Sequence, residues 1–293
     1  MRRTSATARI ARWLLPLLAV LCLGQARAAN TTVLRYAPIG PIYDYRWQVL
    51  ALAMDHTRAS DGPYRLTAYN GETLSQSRLT ALLQHNQIDV VSYATSPERE
   101  ATLRPIRIDI LRGMLGYRVL MIRAGDQQRF RHMDTQTLHQ RIALGFNSQW
   151  ADYPILLANG FNVTATVGYD SLFAMLAAGR FDALPRGLNE IRPELTKFRR
   201  QYPNLAEEKT LALFVNYPVY FWVNKNNPRL AERIERGLKA ALADGTLKTL
   251  FLRAHAEEIA EVRHAHRRIV RLTNPQLPPG TPPSDTSWWW DQH

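Results

Sequence analysis

The sequence predicts an α/β protein of two lobes, each a mixed sheet flanked by helices. Three observations carry that expectation. Strands and helices alternate along the chain, one helix–turn–strand unit occurs twice in the same frame, and 46% of the 293 residues are hydrophobic, enough for two modest cores.

The first residues read as a secretory signal. Arg2, Arg3, Arg9 and Arg12 form a positive start, Trp13 to Leu23 a short apolar core, and Ala26-Arg27-Ala28 a small-x-small cleavage pattern. The apolar stretch falls short of the roughly 20 residues that span a bilayer, and Pro16 interrupts it. Cleavage before Ala29 would leave 265 of the 293 residues, exported to the periplasm and soluble. It would also remove Cys22, the sole cysteine, and with it any disulfide or thiol nucleophile. The whole chain carries +12; the first 28 residues hold five arginines and no acid, so +7 remains. No stretch interleaves basic and aromatic residues as a nucleic-acid platform would, and the densest run, Arg263 to Arg271, reads as a solvated surface or one that meets anionic partners.

Beyond the signal, Val33 to Ala37 reads as a strand and Tyr45 to Thr57 as a helix with Trp47, Leu50, Ala51 and Met54 on one face. A strand at Tyr64 to Tyr69, a helix at Gln76 to Gln84 and a strand at Asp89 to Tyr93 follow. Arg118 to Ile122 and Arg141 to Leu144 have strand character; Tyr153 to Ala158 is helical and stops at Asn159-Gly160. Val163 to Val167 is a strand, Asp170 to Ala178 a helix ended by Gly179, and Leu188 to Arg200 another helix. Strands at Leu211 to Val215 and Val219 to Val223 precede the clearest helix. That helix has Asn227 as cap, Pro228 at its first position, and Leu230, Ile234, Leu238, Ala241 and Leu242 as its buried stripe.

The repeated unit pairs Leu79…Asp89 with Leu172…Asp182: Leu79 with Leu172, Leu83 with Leu176, Ile88 with Phe181, Asp89 with Asp182. Either two common helix-to-strand units coincide, or two lobes of like construction hold one copy each. In the second case ligand chemistry gathers outside the carboxyl ends of the strands. The loops there offer Tyr43 and Tyr45, then Ser92, Thr95 and Arg99, then Ser148 and Gln149 at a helix start suited to an anion, then Arg186. Arg99 is a ligand contact, or else a surface ion pair with Glu98 or Glu100.

At these loops the chain resembles family 3 of the bacterial solute-binding proteins, the type II periplasmic binding fold. Asp89-Val-Val-Ser-Tyr-Ala-Thr-Ser-Pro-Glu-Arg99, Leu176-Ala-Ala-Gly-Arg-Phe-Asp182, and Tyr220-Phe-Trp-Val-Asn-Lys-Asn-Asn-Pro-Arg-Leu230 with Ala241-Leu-Ala-Asp-Gly-Thr-Leu247 carry the likeness in the family's order. The resemblance implies lobe one at 30–117 plus 220–265 and lobe two at 118–219, joined by two hinge strands. It also implies a cleft that closes on a ligand whose carboxylate Arg99 grips, with Ser148 and Gln149 donating to the same group. The family's acid for an amino acid's ammonium is missing at Leu184-Pro-Arg-Gly187, where Arg186 stands instead, although Glu190 lies one helical turn on. Two arginines without that acid favour a small anionic ligand over a simple α-amino acid.

The expected function is therefore non-enzymatic capture of a small solute, without cofactor or metal, by a monomer read by an inner-membrane permease or sensor. An exported cell-wall enzyme, or a ligand-free sensor or assembly protein, is the alternative. Residues 266–293 are expected to form a Pro-rich tail, with Trp288-Trp289-Trp290 either packed on the body or docking a partner.

Overall fold

In the computed structural model, residues 31–38, 40, 43–69 and 75–291 are described; the expected signal segment lies outside them. No described helix is long and apolar enough to cross a membrane.

The first half of lobe one runs β1 (Thr32–Tyr36), α1 (Asp44–His56), α2 (Arg58–Asp61), β2 (Tyr64–Ala68), α3 (Gln76–Gln84), β3 (Val91–Ala94), α4 (Pro97–Thr102) and β4 (Leu103–Ile106). Lobe two follows as β5 (Tyr117–Arg123), α5 (Gln127–Arg131), α6 (Thr135–Arg141), β6 (Ala143–Asn147), α7 (Tyr153–Ala158) and β7 (Asn162–Thr166). It continues with α8 (Tyr169–Ala177), β8 (Ala183–Gly187), α9 (Leu188–Phe198) and β9 (Leu205–Val215). The chain then returns through β10 (Val219–Asn224), α10 (Pro228–Ala243), α11 (Thr246–Ala254), α12 (Ala256–Ala265) and β11 (Arg268–Leu272).

In lobe one, β1 pairs with β2, and β10 lies antiparallel between β3 and β4. A parallel bridge between Tyr36 and Val90 links the two groups. Lobe two is a six-stranded sheet in the order β11-β9-β5-β8-β6-β7. Apart from β11 the two orders correspond, β2-β1-β3-β10-β4 against β7-β6-β8-β5-β9, each with one antiparallel strand returning through the middle.

The repeated aspartates explain part of that likeness. Asp89 accepts from the Arg35 amide at 2.7 Å and returns its own amide to the Arg35 carbonyl at 2.8 Å. Asp182 does the same with Ala143, at 2.9 and 2.8 Å. Each thus seals the turn between a helix and the strand that follows to a neighbouring strand of its own lobe, β1 for Asp89 and β6 for Asp182. Arg141 ends α6 and does not begin a strand; β6 starts at Ala143, the residue Asp182 clamps.

Helix α10 packs on α1 at Gly237, where an added Cβ would fall 1.9 Å from the Ala53 carbonyl oxygen. Crossovers join the lobes between β4 and β5 and between β9 and β10. A third passes through α12, and residues 268–272, expected within a tail, form β11 beside β9. In this parallel pairing Ile269, Val270 and Leu272 stand beside Ala212, Leu213 and Val215, and these apolar pairs hold the segment against lobe two. The tryptophans pack on the body: Trp289 is 1% exposed, with Trp289 and Trp290 set edge-on to Tyr117.

Candidate functional site

A cavity of about 450 Å³ opens between the lobes, lined on one side by Tyr43, Arg46, Gln76, Tyr93 and Arg99, on the other by Arg118, Trp150, Asp152, Tyr169, Arg186, Glu190 and Glu194, with Tyr217 at the crossover. These include the carboxyl ends of β3 and β8, the amino end of the antiparallel β5 beside the end of β8, and the starts of helices α1, α8 and α9, where an α/β sheet gathers ligand groups.

On the lobe-one wall, α4 begins with Ser96 capping the Arg99 amide, which aims the Arg99 side chain back over β3. Its guanidinium donates to the Ala94 carbonyl and to Gln76 Oε1, both at 2.6 Å, and lies 5.1 Å over the Tyr93 ring. A guanidinium has five donors; with the Tyr217 hydroxyl also bonded to Arg99, two remain beyond these three. Arg46 projects from the first turn of α1, donates to the Ser92 carbonyl at 2.9 Å and stacks on Tyr43 at 4.5 Å. Burial lowers its affinity for a proton; the nearby Tyr43 and Glu190 act the other way. No acid lines this wall among the described residues.

The lobe-two wall is an interlocked ion network. Arg186, at the end of β8, meets Glu194 through Nε at 2.6 Å and Glu190 at 3.2 Å, and its guanidinium lies 4.6 Å over Trp150. Arg118, in β5, meets Asp152 at 2.6 Å and Glu190 at 3.5 Å. Tyr169 donates to Glu194 at 2.7 Å. Burial would raise the Glu190 carboxyl, but Arg186, Arg118 and the Gly187 amide outweigh it and hold the group ionised below the usual carboxylate range. Burial likewise lowers Arg186, yet the two glutamates raise it further, so it stays charged. With three acids against two arginines, this wall is net negative and faces a positive one.

The expected site residues divide. Tyr43, Arg99 and Arg186 line the cavity. Tyr45 does not: its hydroxyl donates to the Ile110 carbonyl at 2.9 Å and its ring packs on His255, because two residues along a helix turn it about 200° from Tyr43. Ser92 contributes its carbonyl and not its hydroxyl. Thr95 is buried with its amide on the Pro218 carbonyl and its hydroxyl 3.4 Å from Glu100. Ser148 and Gln149 are exposed turn residues whose amides bond to the Thr166 carbonyl and to Asn147 Oδ1, since α7 starts only at Tyr153; Trp150 and Asp152 take the cavity positions. The expected excess of buried positive charge at Arg186 is also corrected. Glu190 and Glu194, one and two turns into α9, fold back onto it. Arg118 carried a readable signal, a charge inside the otherwise apolar strand Tyr117 to Ile122, and Arg46 another, a charge on a helix face shared with Trp47 and Leu50.

No family model and no curated protein matches the chain. Solved structures do. An ancestral arginine-binding protein bound to glutamine gives a TM-score of 0.53 at 16% identity, covering 77% of this chain and 98% of its own. A histidine kinase sensor domain with similarity to periplasmic binding proteins gives 0.52 at 14%, covering 78% and 96%. An amino acid ABC transporter substrate-binding protein from Streptococcus pneumoniae, bound to L-arginine, gives 0.51 at 12%, covering 77% and 94%. Identities this low speak for the fold alone. The fold that the resemblance implies is met: the chain has the two-lobed α/β fold of the periplasmic binding proteins.

Proposed function

We propose that the chain is an exported solute-binding protein that holds one small zwitterion of amino-acid type between its lobes, for a transporter or a sensor. The ligand's carboxylate would sit on Arg99 and its cationic group toward the Asp152–Glu190–Glu194 wall. One observation carries this reading: the cavity is polarised, with arginines and no lining acid on lobe one and an acid-rich wall on lobe two. A planar guanidinium with free donors suits a carboxylate, and charge-assisted bonds are the strong ones. The expectation from sequence, a small anionic ligand other than a simple α-amino acid, rested on an unopposed Arg186, and the charge of Arg186 is taken up by Glu190 and Glu194. A volume of about 450 Å³ suits a small ligand. The glutamine and arginine held by two of the matched structures are zwitterions of this class.

Binding without catalysis is part of the proposal. A carboxylate kept ionised, as Glu190 is, suits holding a cation and not donating a proton. Calorimetry against a panel of amino acids, dicarboxylates and sugar phosphates tests the reading. Saturable binding of an α-amino acid supports it, and binding confined to dicarboxylates or phosphates overturns it.

A further inference from the structure

The two lobes do not meet at a bare hinge. One contiguous apolar cluster runs from Leu50 and Phe251 of lobe one, through Met114 and Tyr117, to Phe173 and Leu184 of lobe two, and Trp289 belongs to it. The third crossover, α12, is pinned to lobe two by Arg192 of α9 on Glu261 at 2.6 Å and by Arg267, which pairs with both Glu261 and Glu207.

After β11 the chain returns across both other crossovers. On the first, Trp289 Nε1 donates to the Arg112 carbonyl at 2.8 Å, Asp285 pairs with the Arg112 guanidinium, and Trp288 lies 4.3 Å beneath it. Gly113, at φ 80°, is covered so closely that an added Cβ would lie 2.8 Å from Thr286 Cγ2 and 2.9 Å from Ser284 Cβ. On the second, Asn216 is held on three sides. Its carbonyl accepts from Asn274 at 3.2 Å, its amide nitrogen donates to the Pro282 carbonyl at 3.2 Å, and its amide oxygen accepts from Ser284 at 2.7 Å. The same segment touches both lobes, Trp288 against Phe251 at 5.7 Å and Trp290 against Phe214 at 4.8 Å.

A hinge works when a few crossover residues are free to change φ and ψ. Arg112, Gly113 and Asn216 are the residues placed to do so, and each is gripped from outside. We propose that residues 273–291 are a clamp that fixes the angle between the lobes, so that the cleft is preset and a solute enters with little lobe movement. The clamp is independent of which solute binds.

Its test needs no ligand. Spin labels on Glu232→Cys of α10 and Arg180→Cys after α8, both exposed, with Cys22→Ser, report the inter-lobe distance by pulsed electron resonance. The intact chain should give one narrow distance. Truncation after Leu272, and the milder Asp285→Ala/Trp288→Ala/Trp290→Ala variant, should give a distribution at least roughly twofold broader, or a second peak. Circular dichroism identifies which variants remain folded; should the truncation unfold, the milder variant decides. An intact chain already broad or two-peaked, or a folded clamp variant whose distribution matches the intact chain, overturns the proposal.

Discussion

Arg186 and Arg99 stand on opposite walls of one cavity and carry opposite consequences for mutation. Arg186 is 5% exposed and bound by two glutamates and an indole face, so Arg186→Ala leaves Glu190 and Glu194 without their principal counter-charge. The expected loss is about 3–5 kcal/mol of folding stability, measured by urea denaturation. Arg99 is half-buried and its hydrogen-bond partners, a carbonyl, an amide and the Tyr217 hydroxyl, are all uncharged, so Arg99→Ala should barely move the urea midpoint. It should weaken ligand binding roughly ten- to a hundredfold, the value of a charged hydrogen bond. Both arginines were legible as charges just past strand ends. Glu194 was not, because a glutamate in an amphipathic helix looks like a solvent residue until the helix is laid against β8. His255 is a third residue with a measurable signature. Burial and the charge of Arg46 push it down to about 4, and it sits between Tyr45 and Phe251 with Glu258 4.0 Å away. It is neutral when folded and takes up a proton near pH 6.5 when unfolded. Its contribution is therefore fully present above about pH 6.5 and is lost as pH falls toward about 4, a span worth roughly 3 kcal/mol. Denaturation across that window should fall less steeply in His255→Phe than in the parent; equal slopes would assign the loss to other groups.

Elements were easiest to read where a pattern was local. The Asn227 cap, Pro228 and the apolar stripe marked α10, which begins at Pro228 with Asn227 Oδ1 on the Leu230 amide. The repeated aspartate unit also stood out, because its helix, turn, apolar residue and aspartate recur in one short frame, although the strand residues each aspartate clamps, Arg35 and Ala143, lie far away in the sequence. What the sequence hid were elements defined by tertiary partners. β4 is four residues containing a proline, and β11 exists through its pairing with β9, so neither has a strong period of its own. The Ser148–Gln149 turn misled for a similar reason: α7 begins at Tyr153, as its sequence pattern indicates, so Ser148 and Gln149 lie in the turn before it and not at its start. Close approach of α1 and α10 at Gly237 gives the prediction at this scale. Gly237→Val must push the Ala53 backbone away and should cost about 2–3 kcal/mol by thermal or urea denaturation. A cost below about 1 kcal/mol would mean the two helices are looser than their packing indicates.

At the scale of the whole molecule, the two-lobed plan was legible and the connection between the lobes was not. Alternating elements and the doubled aspartate unit sufficed for two sheets with a cleft at their strand ends. The Pro-rich composition of the last residues pointed to an extended segment, which they are. Extended segments carry no periodicity, so nothing along the chain showed that this one returns over Arg112 and Asn216 and buries Trp289. The polarised cavity likewise needed both walls in place before its signs could be compared. Native mass spectrometry of the protein, purified without denaturation, tests the central claim most directly. The parent should carry, or take up one-to-one from a mixture of free amino acids, a single small molecule bearing both an amino and a carboxyl group, and Arg99→Ala should lose it at the same protein concentration. A folded parent that adds no mass from that mixture, or that adds the same mass with Arg99→Ala in place, would contradict the account.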